Sequence, residues 1–129
     1  MRAAIPSECQ RAAKISVDAA LTVHTRLGPG LLESVYENCL AHELRKRGLT
    51  VKAQIPVPVQ YDSLTIENAF RLDLLIEDCL VIEVKAVEIL LPVHQAQLLT
   101  YLKLTDHRLG LLINFNVPLI KDGIHRVAN

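Results

Sequence analysis

Residues 69–87 read A-F-R-L-D-L-L-I-E-D-C-L-V-I-E-V-K-A-V. The stretch predicts two β-strands joined by a tight acidic turn at Glu77-Asp78-Cys79, since Leu80 to Ala86 is rich in Val, Ile and Leu. Alternate residues separate the faces. Phe70, Leu72, Leu74 and Ile76 fall on one face of the first strand; Leu80, Ile82, Val84 and Ala86 fall on one face of the second. Arg71 and Asp73, then Val81, Glu83, Lys85 and Val87, take the opposite faces. With Asp78 at the middle of the turn, Asp73 lies opposite Glu83, Arg71 lies opposite Lys85, and the two apolar faces coincide. A slip by a single position would set apolar against charged along the hairpin. The pattern thus gathers two carboxylates and a lysine on one side of a sheet.

Ionised Asp and Glu facing each other across strands repel. Partial burial raises that cost unless a cation stands between them. Lys85 or Arg71 can be that cation, and so can Mg²⁺ or Mn²⁺, which prefer oxygen ligands. From the hairpin alone, a metal-binding face and a solvated face laced with ion pairs are both open.

The chain has 129 residues, half of them apolar, enough for one domain (residues 1–129) with a real core. No apolar run reaches the length of a membrane span and no signal-peptide pattern opens the chain, so a cytoplasmic location is expected. Cys9, Cys39 and Cys79 are odd in number and widely spaced, which fits free thiols and neither a disulfide framework nor a zinc site. Formal charge is zero. A nucleic-acid role therefore needs a local basic patch or a bound metal to offset phosphate repulsion. Aromatic residues are sparse and Trp is absent, which argues against base-stacking platforms.

Before the hairpin, Ser7 with Gln10 three residues later predicts a capped helix start, and the helix runs to about Arg26 with Ile15, Ala19, Thr22 and Val23 inward. Gly28-Pro29-Gly30 stops it. A second helix is expected from Leu31 to Arg47, ended by Gly48, with an apolar stripe of Leu32, Tyr36, Cys39, Leu40 and Leu44. Glu33 falls inside that stripe, so its carboxylate is expected to point toward the protein. It also suits a first-turn acid favoured by the helix dipole. Val51 to Tyr61 alternates as a strand with Val51, Ala53, Ile55, Val57, Val59 and Tyr61 on the buried face. Pro56 and Pro58 remove donors on one side and mark an edge. Asp62-Ser63 turns the chain into the strand Leu64 to Ile76.

After the hairpin, Pro92 suits the first turn of a helix reaching Leu104, with His94, Gln97, Leu98 and Tyr101 on one face. Leu109 to Phe115 is another strand. Strand, helix, strand in that order implies a right-handed crossover and a parallel pair. The tail, Val117 to Val127, carries the hairpin signal Asp122-Gly123. The expected fold class is α/β: a mixed β-sheet flanked by helices, in the order α-α-β-β-β-α-β plus a C-terminal hairpin.

At this point the residues resemble a known family. Gly30-Leu31-Leu32-Glu33-Ser34-Val35-Tyr36-Glu37 fits the G-x-x-E-x-x-Y signature of the GxxExxY proteins, which are similar to the PD-(D/E)XK nuclease superfamily. Asp73 followed by Glu83-Val84-Lys85 fits that superfamily's D…E-x-K, with Leu72 where a proline often stands. Gln97-Leu98-Leu99-Thr100-Tyr101 resembles its Q-x-x-x-Y, and Gly110-Leu111-Leu112-Ile113-Asn114-Phe115 also looks typical of the GxxExxY group. The resemblance covers roughly Ile15 to Val127. It implies a restriction-endonuclease-like core and a metal-dependent phosphodiester hydrolase acting on DNA or RNA. Asp73, Glu83 and the main-chain carbonyl of Val84 would bind Mg²⁺ (or Mn²⁺). Glu33 would reach the same place from its helix, Lys85 would position or activate water, and Gln97 would orient Lys85 or the substrate.

Three functions follow as expectations. The first is a Mg²⁺-dependent nuclease. The second is a nuclease-like fold serving as a non-catalytic binding or assembly module, as a possible homodimer using Pro56, Pro58 and the apolar tail. The third is an unrelated metal hydrolase with His94 as a ligand, against which stands the usual structural role of a lone His at a helix start.

Overall fold

The computed structural model describes residues 4–129. In chain order the elements are α1 (Ser7–Leu27), α2 (Glu33–Lys46), β1 (Val51–Tyr61), β2 (Leu64–Ile76), β3 (Leu80–Lys85), α3 (Pro92–Thr105), β4 (Leu109–Asn114), a 3₁₀ turn (Ile120–Gly123) and β5 (Ile124–Ala128). The strands form one five-stranded sheet in sequence order. β3 and β4 run parallel, from Leu80↔Leu109 to Lys85↔Asn114, and the other pairs are antiparallel. This is a mixed sheet with helices on both faces, a restriction-endonuclease-like α/β fold. β3 and β4 are apolar almost throughout because both of their faces are covered. None of the helices in the described residues is long and apolar enough to cross a membrane.

Two packed layers hold the sheet. On one side α1 and α2 bury Ala19, Ala20, Tyr36, Leu40 and Leu44 against Leu74, Ile76, Ile82, Val84, Leu111 and Ile113. On the other, Leu98 and Leu102 of α3 pack on Val57, Leu72, Leu75, Val81 and Leu112. Each fully buried Leu or Ile contributes about 2–3 kcal/mol through burial of apolar area. Pro92 does open α3, and the edge marked by Pro56 and Pro58 is real, since β1 has a neighbour on one side only.

Several local expectations change. Ser7 is not the cap of α1: Pro6 holds that position with extended backbone, and its carbonyl accepts the N–H groups of Cys9 and Gln10 at 3.0 and 3.1 Å. α2 starts at Glu33 because Leu32 is extended, so Leu32 leaves the inner stripe and stands 73% exposed. Ala53 and Tyr61 are exposed too, and Val57 alone on the expected face of β1 is buried. The tail forms no hairpin of its own. Asp122-Gly123 lies in the 3₁₀ turn, and β5 returns along β4.

The largest departure is in β2. Leu74 and Ile76 face α1 and α2, but Phe70 and Leu72 face α3. The break falls at Asp73. Opposite it in β1, Gln54 has a left-handed backbone, φ 53, between the intact pairs Ala53↔Leu74 and Ile55↔Leu72. Residues other than Gly, Asn and Asp seldom adopt that conformation. The kink rotates the outer half of the β1–β2 hairpin, so alternation does not carry across it.

Candidate active site

Asp73 and Glu83 meet where β2 and β3 part. Their last ladder pair is Leu74↔Ile82. One step beyond, each strand's main chain bonds to the other strand's carboxylate. The Asp73 N–H donates to Glu83 Oε2 and the Val84 N–H donates to Asp73 Oδ2, each at 2.8 Å. Side chains replace the ladder as the strands diverge, and this fixes both carboxylates side by side.

Burial dominates their electrostatics. Glu83 is 4% exposed. Desolvation, with the charge of Asp73 added, pushes its carboxyl up to about 8, against the pull of the Asp73 N–H and the Lys85 ammonium. Desolvation also raises Asp73, opposed first by the Val84 N–H and then by Lys85. Lys85, the last residue of β3, is half-buried and is the cation that acts on both acids. Its carbonyl accepts the Phe115 N–H at 2.9 Å. Buried Asn114 then clasps the next segment: its Oδ1 accepts the Val87 N–H at 3.0 Å, and its Nδ2 donates to the Val87 carbonyl at 2.9 Å.

α2 closes the site from the other side. A cleft of about 510 Å³ is lined by Leu32, Glu33, Ser34, Glu37, Gln54 and Asp73. The G-x-x-E-x-x-Y stretch has a mechanical explanation here. Gly30 has φ 101, which favours glycine. Tyr36, fully buried and stacked on Phe115 at 4.6 Å, donates its hydroxyl to the Gly28 carbonyl at 2.5 Å and accepts the Leu31 N–H at 3.0 Å. That clasp holds the turn that launches α2 over the cleft.

Glu33 lines the cleft as an exposed residue rather than an inward one, since it is the first residue of α2 and sits at the open end of the helix. The acid nearest the pair is Glu37, one helical turn on. Desolvation raises its carboxyl, a bond from Gln54 lowers it, and the charges of Asp73 and Glu33 raise it further. Gln54 Nε2 donates to Glu37 Oε2 at 2.7 Å, and both side chains lie beside Asp73 in the cleft, where their hydrogen-bonding groups pull its carboxyl down. Neither Glu37 nor Gln54 was indicated by sequence pattern. The repeat of an acid at Glu33 and Glu37, four apart on one helix face, is the signal that could have found Glu37.

On α3, Tyr101 stacks on Phe70 at 4.2 Å, and its hydroxyl is raised by burial and by the charges of Glu83 and Asp73, which places it toward the pair. Gln97 is exposed one turn earlier. His94 caps its helix: its N–H donates to the Leu91 carbonyl at 2.9 Å and its Nδ1 accepts the Leu91 N–H at 3.0 Å. With Nδ1 accepting, the proton of the neutral ring sits on Nε2, so neither nitrogen keeps a free lone pair for a metal and the ring has a structural task. Arg71 is exposed. Cys9, Cys39 and Cys79 are free thiols.

A sheet with this order, carrying an Asp and a Glu-x-Lys on the adjoining strands β2 and β3, defines a nuclease-like α/β protein. The chain belongs to the PD-(D/E)XK nuclease superfamily, whose family model matches residues 10–127. No curated protein and no solved structure shows significant similarity to the chain.

Members of that superfamily generally use divalent metals, and the donor chemistry fits one. Two carboxyl groups raised chiefly by desolvation, Glu83 also by the charge of Asp73, are hard oxygen ligands short of positive charge. Among the described residues no group of three or more acidic, His or Cys side chains is close enough to form a cage by itself. Mg²⁺ does not require one, because it keeps several waters and binds through one or two carboxylates.

Proposed function

We propose that this chain is a divalent-metal-dependent nuclease that hydrolyses phosphodiester bonds in nucleic acid. The observation that carries the reading is the lock of Asp73 and Glu83 through main-chain N–H groups, with Lys85 acting on both and Asp73 lining an acid-rich cleft. In this reading Asp73, Glu83 and the Val84 carbonyl hold Mg²⁺ or Mn²⁺. When bound, the ion supplies a nucleophile near neutral pH and neutralises charge on the phosphoryl oxygens. The chain's own residues do the rest. Lys85 holds the attacking water and one phosphate oxygen through its ammonium donors. Glu33 and Glu37 order water at the rim of the cleft, and Gln97 reaches substrate from α3. With zero net charge on the chain, attraction to phosphate depends on the ion and on Lys85.

The test is incubation of labelled DNA and RNA, single- and double-stranded, with Mn²⁺ and wild-type, Asp73→Asn or Lys85→Ala protein. Cleavage by the wild type that drops at least 100-fold in both variants supports the reading. Equal cleavage by all three sinks it. Mn²⁺ binding without cleavage of any substrate would favour the non-catalytic module.

A further inference from the structure

We infer that Gln54 is a positioning residue for the site's carboxylates: its left-handed backbone bends β1 beneath the cleft, and its amide bridges Glu37 and Asp73. The inference rests on the reading of Asp73 as a metal ligand.

Four observations converge on it. Gln54 adopts φ 53 inside a strand, where no turn requires it. Pairing continues in register on both sides, so the bend adds no extra residue. The bend lies opposite Asp73, where β2 exchanges the face packed on α1 and α2 for the face packed on α3. The side chain then donates to Glu37 at 2.7 Å and lines the cleft beside Asp73.

A bend alone would be made more cheaply by Gly or Asn. A glutamine amide offers something those residues do not offer at that reach: two hydrogens on one nitrogen, one given to Glu37 and the other available to Asp73 beside it. It is also neutral. Lys or Arg in its place would bridge the same acids while competing with the cation that the site collects. Gln54 therefore holds Glu37 and Asp73 at a fixed separation, and keeps the second oxygen of Asp73 on the Val84 N–H.

The experiment compares wild type with Gln54→Gly, which keeps the bend and removes the amide, and with Gln54→Met, which keeps the bulk and removes the amide. The readouts are the unfolding midpoint, hydrogen exchange at the Val84 N–H without metal, Mn²⁺ affinity by calorimetry, and kcat and KM on a cleaved oligonucleotide. The Gly variant is expected to fold with an unchanged or higher midpoint. In both variants Val84 should exchange about 10-fold faster and Mn²⁺ affinity should fall about 10–100-fold, the usual effect of losing a group that orients a ligand. The loss of activity should fall on kcat. Val84 exchange and Mn²⁺ affinity within twofold of wild type in the Gly variant would overturn the inference, leaving Gln54 as a bend only. Faster Val84 exchange in the variants, with no Mn²⁺ affinity in the wild type, would support the positioning role and sink the metal reading instead.

Discussion

Asp73 and Glu83 are locked side by side by main-chain N–H groups of each other's strands. The carboxylate of Glu83 takes the Asp73 N–H and the carboxylate of Asp73 takes the Val84 N–H, each at 2.8 Å. The arrangement ties the strands together at the point where it also sets two acids against each other. In the unfolded chain Glu83 ionises near 4.5, and in the folded chain near 8. Between those values the folded chain holds a proton that the unfolded chain has lost, so stability falls as pH rises through the window and levels off above it. Without metal, unfolding in urea should lose roughly 2–5 kcal/mol between pH 5 and pH 9. Glu83→Gln should flatten at least half of that slope, because the amide cannot ionise. Parallel slopes for the two proteins would place the raised carboxyl elsewhere.

A cation relieves the same repulsion, so it should stabilise the fold. At a hundredfold excess over Kd, Mn²⁺ is expected to add about 2.7 kcal/mol, or roughly 10 °C in unfolding midpoint for a chain of this size. The ion competes with the proton on Glu83, so the gain should grow from pH 6 to pH 8. Asp73→Asn should remove most of it. Scanning calorimetry with and without Mn²⁺ measures both effects, and a gain that is the same in Asp73→Asn would locate the ion away from this pair.

Tyr36 separates the mechanical part of the site from its chemistry. Tyr36→Phe keeps the stack on Phe115 and removes the clasp on Gly28 and Leu31. Loss of the hydroxyl should cost about 1–2 kcal/mol in urea unfolding. Since that clasp sets the start of α2, activity should fall further than stability alone explains, with Mn²⁺ affinity held within a few-fold. An unchanged rate would mean that Glu33 and Glu37 are placed by helix packing alone.

The sequence carried the β2–β3 register because the acidic turn is centred on Asp78 and both strands alternate cleanly near it, and Leu74↔Ile82 lies on the diagonal so predicted. Alternation failed beyond Asp73, where Phe70 and Leu72 exchange faces. The cause is a backbone state at Gln54 that its residue type does not announce. Helical angles put Glu33 on the inner stripe but do not say what covers it: Glu33 is the first residue of α2, with the extended Leu32 before it, and stands exposed at the rim. Glu37 was hidden for another reason. Its neighbours Gln54 and Asp73 come from two other elements, and only the packing of α2 over the sheet brings them within reach.

Asn114 tests whether Lys85 must be held still. It is 2% exposed, and its side chain satisfies both main-chain groups of Val87 and accepts the Asn116 N–H at 3.3 Å. The adjoining Phe115 N–H holds the Lys85 carbonyl, so the end of β3 is pinned on both sides of Ala86. Asn114→Ala leaves the Val87 groups without partners in a half-buried place and should cost roughly 2–4 kcal/mol. Asn114→Asp keeps the acceptor for the two N–H groups, loses the donor to the Val87 carbonyl, and sets a negative charge beside Lys85, its partner across β3 and β4. If freedom at the end of β3 is what harms Lys85, both variants should lose kcat about tenfold or more at unchanged KM, measured at a temperature where both remain folded. A variant that unfolds earlier yet cleaves at the wild-type rate would show that Lys85 is aligned by its own attraction to Asp73 and Glu83, with the Asn114 clasp serving stability alone.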